Sequence, residues 1–217
     1  MPGAPGVSIR KFEQRHRQEL RDIAYDTALM GEPAGLFFDG KEIICDVLTL
    51  YFTDYEPQSC FVAEADFGLA GYLTGAKDKV AAEKLTFRKI FPRLLREAFH
   101  SGVFLKKKNF ILLASILAGI LKGQFIAPDF NREYPATMHI NIKNGFRGLD
   151  IGSRLVSTFL EYLKYEDVRG VHLATMSDAA GTFFSQQGFK RLYCGKRSYF
   201  RHILHKDVPL YIYGKKL

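Results

Sequence analysis

The chain has 217 residues, of which 47% are hydrophobic and 14% aromatic, and it contains no low-complexity segment. This composition is typical of a globular protein with a sizeable core, and the length suits one domain, or one domain with an insertion. The 31 basic and 23 acidic residues give a net charge of +8, which favours anionic partners such as phosphates, nucleic acid or a membrane surface.

Cysteine usage and hydropathy exclude several classes of protein. Cys45, Cys60 and Cys194 are widely spaced without a C-x-x-C pair, so neither a disulfide framework nor a zinc site is predicted, and a reduced, cytoplasmic location fits best. Residues 1–6 lack the pattern of a signal peptide and are expected to be frayed. The longest apolar run, at residues 110–121, is well short of the roughly 20 residues that span a bilayer.

Strands and helices alternate along the first third of the chain. Apolar spacing and turn residues predict a strand at residues 7–12, helices at 13–29 and about 41–52, and a β-hairpin of strands 59–64 and 69–75.

The segment at about residues 77–134 differs from its surroundings and is predicted to be a helical insertion. It is rich in Lys, Arg and Phe, and Lys106-Lys107-Lys108 directly precedes its apolar run. It is interpreted as a lid over a substrate cleft, with solvated lysines and the apolar run in the core. Two alternatives are an amphipathic anchor on anionic lipid and a dimer contact.

The remaining chain returns to an α/β pattern. The predicted elements are a strand at residues 136–142, a helix at 152–165, a strand at 170–175, a short helix at 178–187 and strands at 192–200 and 208–214.

The most informative stretch joins the strand at 136–142 to the helix that follows it. Between Ile140 and Leu155 the strand leads into a loop with glycines at 145, 148 and 152, and the loop opens directly into an amphipathic helix. Such a loop directs backbone N–H groups toward one point at the positive end of the helix dipole, where a pyrophosphate can bind. A plain strand-to-helix turn gives the same local pattern, so the loop is weak evidence by itself.

Three motifs in the right order resemble the GNAT superfamily of N-acetyltransferases. The coenzyme-A loop of that family reads Arg/Gln-x-x-Gly-x-Gly/Ala, and Arg147 and Gly152 match its outer positions. Residues 177–189 are similar to the family pattern Asn-x-x-Ala-x-x-Phe-Tyr-x-x-x-Gly-Phe, and the hairpin stands where the family has its second and third strands. A narrower likeness, from residues 134–142, the insertion and Val171-His172-Leu173, is to the acetyltransferase-like domain of O-GlcNAcase and its free-standing bacterial relatives.

The resemblance implies an α/β (α+β) fold, with a mixed, mostly antiparallel central sheet flanked by helices, in a single domain over residues 1–217. It also implies acetyl-CoA as co-substrate and transfer of the acetyl group to a primary amine by direct attack. The cofactor-binding positions carried over are Ile140, Asn141, Ile142, Arg147, Gly148, Leu149, Asp150, Ile151, Gly152, Ser153, Ser177, Ala180, Phe183 and Phe184.

Three positions depart from the family pattern. Asp150 replaces a glycine, although Asp tolerates a left-handed backbone better than most residues. Ser177 replaces an asparagine, and Phe184 stands where a tyrosine often protonates the leaving thiolate. Because a phenyl ring donates no proton, Tyr193, Tyr199 or water must serve, or the domain no longer catalyses.

The residue that accepts the proton of the amine is left open by the sequence. His139 is preferred because it lies on the central strand and titrates near neutrality, and Glu64 is the second candidate. His202 and His205 are three residues apart but lack a third ligand, so no metal site is predicted.

Two further classes of function remain as alternatives to an amine acetyltransferase. One is a degenerate module that binds acyl-CoA or a partner without turnover, and the other is a protein that binds nucleic acid or membrane through its charge. No nucleic-acid recognition motif is visible, so a nucleic-acid partner is not expected. The expected partner is a small-molecule or peptide amine, and the chain is expected to be a monomer or a homodimer.

Overall fold

A mixed sheet of seven strands forms the centre of the fold. The computed structural model describes residues 6–217. The expectation that residues 1–6 are frayed therefore falls, apart from Gly6, on residues outside the described range. The strands are β1 (Ser8–Lys11), β2 (Cys60–Ala65), β3 (Gly68–Ala76), β4 (Ala136–Ile142), β5 (Gly170–Thr175), β6 (Lys190–Arg197) and β7 (Val208–Lys216).

The order of strands in the sheet is β1-β2-β3-β4-β5-β7-β6. Only β4 and β5 are parallel, and the other neighbouring pairs are antiparallel. This confirms the predicted mixed, mostly antiparallel sheet. The parallel pairing is short, because it includes only Ala136 with Val171 and Thr137 with His172.

Helices cover the two faces of the sheet and fill the segment between β3 and β4. They are α1 (Arg17–Asp26), α2 (Lys41–Asp54), α3 (Lys79–Leu85), α4 (Phe91–His100), α5 (Lys107–Leu121), α6 (Ile151–Tyr165), α7 (Asp178–Gln186) and α8 (Arg201–Leu204), and a π-helical turn at Thr86–Ile90 joins α3 to α4. The strand predicted at residues 192–200 ends earlier, at Arg197. Phe200 leaves the sheet and packs against Phe37 at a ring distance of 5.2 Å.

The larger core lies between the sheet and α6. Ile151, Leu155 and Phe159 recur every fourth residue on one side of α6 and are at most 1% exposed. The Phe159 ring lies directly on β3, because a Cβ atom at Gly75 would collide with it. Glycine at position 75 therefore sets how closely α6 approaches the sheet.

The opposite face of the sheet packs against α1 and α2. Leu20 and Ile23 of α1 share a buried cluster with Val62 of β2 and Tyr72 of β3. Because successive strand residues point to opposite faces, Ala136 and Met138 of β4 join the α6 core. Thr137, His139 and Asn141 consequently point to the face of α1 and α2.

The segment predicted as an insertion is helical from Lys79 to Leu121, but its apolar run is not in the core. Among the hydrophobic residues of α5, Leu112 is buried, whereas Phe110, Leu117 and Leu121 are 67%, 57% and 81% exposed. The apolar residues of this helix surround its axis, and one packed side cannot bury them all. The expectation of a buried run was therefore wrong.

The first turn of α5 is tied to the loop between α1 and α2. The Lys108 ammonium group donates to the Gly35 carbonyl at 2.6 Å and to the Asp39 carboxylate at 2.9 Å. Asn109 is fully buried and exchanges hydrogen bonds with the Asp39 backbone at 2.7 and 2.8 Å. The lysines of this segment were expected to be solvated, and for Lys108 that expectation was wrong. Within residues 6–217, no helix is long and apolar enough to cross a membrane.

Candidate active site

The two parallel strands in the middle of the sheet separate along their length. Beyond Thr137, β4 continues to Ile142 without pairing to β5. The Lys143 amide donates to the Ala70 carbonyl on β3 at 2.9 Å, and alternate residues of a strand direct their backbone groups to opposite sides. The N–H and C=O groups of Ile140 and Ile142 therefore face the gap between β4 and β5.

The loop at the open end of this gap uses three left-handed residues. Gly145, Gly148 and Asp150 have φ values of 91°, 79° and 58°. A Cβ atom at either glycine would meet nothing within 4 Å, so the backbone conformation rather than space favours glycine there. Asp150 adopts the left-handed conformation that the sequence led us to expect, and α6 begins directly after it.

The amides of this loop and of the first turn of α6 are unpaired. The amides of Phe146 and Arg154 donate to backbone carbonyls, whereas those from Arg147 to Ser153 have no acceptor within the described chain. The first amides of any helix lack intrahelical partners and carry the positive end of the helix dipole. This segment, residues 147–153, is called the anion turn below.

Two predicted cofactor-binding side chains have other partners. The Arg147 Nε atom donates to the Ile142 carbonyl at 3.2 Å, and its guanidinium group lies against Gly31, between α1 and α2. The Asn141 side-chain amide donates to the Tyr72 hydroxyl at 2.7 Å. Asn141 thus faces α1 and α2 with its side chain and β3 with its backbone, and it does not line the gap.

The start of α7 lies at the end of β5. The Ser177 hydroxyl caps α7 by accepting a hydrogen bond from the Ala180 amide at 3.3 Å. Phe183 is half-buried, and its ring would stand 3.2 Å from a Cβ atom at Gly152, so α7 packs against the anion turn. Phe184 is only 4% exposed and belongs to the core on the α6 side, so its side chain does not line the gap.

A cavity of about 360 Å³ adjoins the point where β4 and β5 separate. Its floor is formed by β4, and its walls come from α2, α3, the π-helical turn and α4. The lining residues are Val47, Tyr51, Phe52, Lys79, Ala82, Glu83, Thr86, Phe87, Phe91, Thr137 and His139.

His139 is the titratable group on the floor of this cavity. Its ring meets the Phe52 ring edge-on at 5.8 Å and makes no hydrogen bond within the described chain. Water reaches the imidazole through the cavity, but the protein atoms crowded around it lower the pKa of His139, and the positive charge of Lys79 lowers it further. The ring is therefore neutral at pH 7 and able to accept a proton.

The structure does not bring Glu64, the second candidate base, near His139. His139 pairs with Thr74 and Thr74 with Cys60, so Glu64 lies two strands away and about 13 Å further along β2. Its carboxylate accepts a hydrogen bond from His16 Nε2 at 2.8 Å and pairs with Arg15 at 2.9 Å. Mainly through the His16 bond, these partners lower the pKa of Glu64 and weaken it as a base.

The two tyrosines considered as proton donors differ in position. Tyr193 lies on the edge strand β6, and its hydroxyl donates to the Ile126 carbonyl at 3.4 Å. The Tyr199 hydroxyl donates at 3.3 Å to the sulfur of Met176, the residue directly after β5. Burial raises the pKa of Tyr199. Tyr199 is thus the tyrosine that the structure brings to the carboxyl end of β5.

Two polar residues, one beside His139 and one beside Thr137, were missed in the sequence. The His172 Nδ1 atom lies 2.6 Å from the Tyr134 carbonyl, and since a carbonyl only accepts, Nδ1 carries a proton and donates it in this hydrogen bond. Burial lowers the pKa of His172. The Thr74 hydroxyl is buried without a hydrogen-bond partner in the described chain. The strand register pairs Thr74 with His139 and His172 with Thr137, which lies two residues before His139 on the same face of β4.

The pair His202 and His205 lies on α8 and directly after it. Within residues 6–217, no group of three or more His, Cys, Asp and Glu side chains is arranged to hold a metal ion.

Comparison with known proteins finds similarity in structure. No protein-family model matches the sequence, and no curated protein matches it. The structure of SsHAT is similar with a TM-score of 0.69 at 19% identity and covers 98% of both chains. A Drosophila melanogaster polyamine N-acetyltransferase that forms N-acetylagmatine has a TM-score of 0.59 at 14% identity over 97% of this chain and 100% of its own.

A third similar structure contains a cofactor. The protein yncA from Salmonella typhimurium, with its cofactor acetyl-CoA, has a TM-score of 0.59 at 11% identity, over 97% of this chain and 94% of its own. At these identities the similarity shows a shared fold.

Proposed function

We propose that this chain, which has the GNAT fold, is an N-acetyltransferase that moves an acetyl group from acetyl-CoA to a primary amine by direct attack. One observation carries the proposal. A gap between two parallel strands leads from a turn of unpaired amides to a cavity with a neutral histidine on its floor. Acetyl-CoA in the Salmonella typhimurium structure and amine acetylation by the Drosophila melanogaster enzyme support the same co-substrate and reaction.

Coenzyme A would bind along the gap. The pantetheine arm, which has amide groups of its own, would add to β4 like a further strand and bond to Ile140 and Ile142. The pyrophosphate would bind the amides of the anion turn. The Asp150 carboxylate opposes this anion, and the positive charges of Lys143, Arg147 and Arg154 around the same turn offset it.

The acetyl group would lie where β4 and β5 separate, beside His139. A backbone N–H group there would bond to the thioester oxygen and stabilise the negative charge that develops on it. As the amine nitrogen forms its bond to the carbonyl carbon, the imidazole would accept the amine proton, directly or through a water. The C–S bond then breaks and the thiolate takes a proton from Tyr199 or from water, because Phe184 has none to donate.

Isothermal titration calorimetry with acetyl-CoA tests the cofactor site. Gly152→Glu places a negative charge in the anion turn and presses on Phe183, and it should reduce affinity at least about 100-fold. Ser157→Glu, which adds the same charge on an exposed position of α6, is the matched control and should bind acetyl-CoA as the unmodified chain does. Equal affinity of the two variants would remove the anion turn as the cofactor site.

Release of the coenzyme-A thiol in the presence of amines tests turnover. Acetyl-CoA binding without thiol release for any amine would favour the alternative of a non-catalytic acyl-CoA-binding module, which Asp150 and Phe184 suggest. No binding of acetyl-CoA would contradict both functions.

A further inference from the structure

Four aromatic rings line the walls of the cavity above His139. Tyr51 and Phe52 come from α2, with ring centroids 5.3 Å apart. Phe87 and Phe91 come from the π-helical turn and α4, and their rings are stacked at 6.0 Å with an angle of 5° between their planes. Because these rings line one cavity with His139, a group bound there would contact flat apolar surfaces.

The charged groups of the cavity already have partners. Lys79 pairs with Glu83 at 3.2 Å, and the Tyr51 hydroxyl donates to the Glu56 carboxylate at 2.7 Å. Among the lining residues, the polar side chains with neither a hydrogen bond nor an ion pair in the described chain are His139, Thr137 and Thr86. The cavity therefore offers few polar contacts to a substrate.

These features discriminate between classes of amine. An amino sugar carries several hydroxyl groups, and each would lose water without a partner against the rings. A polyamine carries further positive charges, whereas the one carboxylate of the lining, Glu83, is neutralised by Lys79. An amine on a phenyl or other apolar group would lose little, because its apolar part leaves water and its nitrogen reaches His139.

We infer that this cavity is the acceptor site and that it takes a primary amine carried on an aromatic or aliphatic group, such as an arylalkylamine. The inference rests on the proposed acetyltransferase function and names its substrate class. The position of the cavity also supports this inference, because its floor is the segment of β4 at which β5 separates, where the acetyl group is proposed to lie.

The test measures thiol release from acetyl-CoA with 2-phenylethylamine, glucosamine and spermidine. We expect kcat/KM for 2-phenylethylamine to exceed the other two values at least about tenfold. A higher value for glucosamine or spermidine would overturn the acceptor class and leave the acetyltransferase function standing. Acetyl-CoA binding without thiol release from any of the three would overturn both.

Two matched variants assign the effect to the cavity. Phe91→Ala removes a half-exposed ring from its wall and should raise KM for 2-phenylethylamine at least about fivefold, with KM for acetyl-CoA unchanged. Phe110→Ala removes an exposed ring of α5 that does not line the cavity, and its kinetics should be unchanged. Equal KM values for the two variants, with both chains folded by circular dichroism, would overturn the site.

Discussion

His139→Gln is the substitution that tests the proposed chemistry most directly. The pKa of His139 is lowered from its ordinary value of 6.5, so at pH 7.5 at least about nine imidazoles in ten are neutral and able to accept a proton. Glutamine keeps much of the size and polarity but accepts no proton near neutral pH. General base catalysis contributes a factor of about 100 or more, so kcat should fall about 100-fold, or about 2.7 kcal/mol in the barrier.

Steady-state kinetics over pH 5 to 9 measure this effect. KM for acetyl-CoA should change less than about twofold, because the imidazole faces the cavity while the backbone of Ile140 and Ile142 faces the gap. Protonation of the amine substrate changes the rates of both enzymes equally, so it cancels when the rate of the unmodified chain is divided by the rate of the variant at each pH. It should be largest above pH 6.5 and shrink as the pH falls through the lowered pKa, since imidazolium accepts no proton.

Two controls accompany this variant. His202→Gln makes the same chemical change on exposed α8 and should retain full activity. Glu64→Gln removes the other candidate base and should keep kcat within about twofold. A His139→Gln chain that folds and keeps its full rate at pH 7.5 would refute the reasoning. A large loss of kcat in Glu64→Gln would indicate that Glu64 takes part in catalysis and would contradict the choice of His139 as the base.

Three further predictions concern packing and buried polar groups. Phe159→Ala empties the contact between α6 and β3 and should lower the free energy of unfolding by about 3–5 kcal/mol in urea titrations; a loss under about 1 kcal/mol would contradict this packing. Asn109→Ala should cost about 1–3 kcal/mol, because the backbone of Asp39 loses both its partners on α5, and it should increase hydrogen exchange in the α1–α2 loop. His172→Asn retains an N–H donor near the Nδ1 position and should be more stable than His172→Ala by about 1–2 kcal/mol, and equal melting curves would contradict the hydrogen bond to Tyr134.

The order of elements could be predicted from the sequence because it depends on local patterns. The apolar spacing in residues 152–165 is that of a helix with one buried side, and α6 buries those residues. β4 and β5 have the bounds predicted for them. The left-handed backbone of Asp150 follows from its replacement of a glycine in a turn that needs a positive φ.

The segment from Lys79 to Leu121 shows where local patterns are insufficient. An apolar run predicts burial, yet Phe110, Leu117 and Leu121 of α5 are exposed. The described chain packs against the side of α5 that carries Leu112 and Ile116. The sequence around Lys108 predicts a solvated lysine, but its ammonium group donates to the Gly35 carbonyl and the Asp39 carboxylate, which are about seventy residues away in the chain. Nothing in the local sequence could show these partners.

The sequence by itself determined the secondary structure, the anion turn and the fold that these imply, because each depends on residues close together in the chain. The tertiary structure decided which polar groups surround His139. Strand register paired Thr74 with His139 and His172 with Thr137, and it placed Glu64 two strands away from His139. The packing of α2 against α4 formed an aromatic cavity from side chains up to ninety-two residues apart in the chain. Contacts between distant segments depend on how closely whole elements approach, and no local pattern encodes that distance.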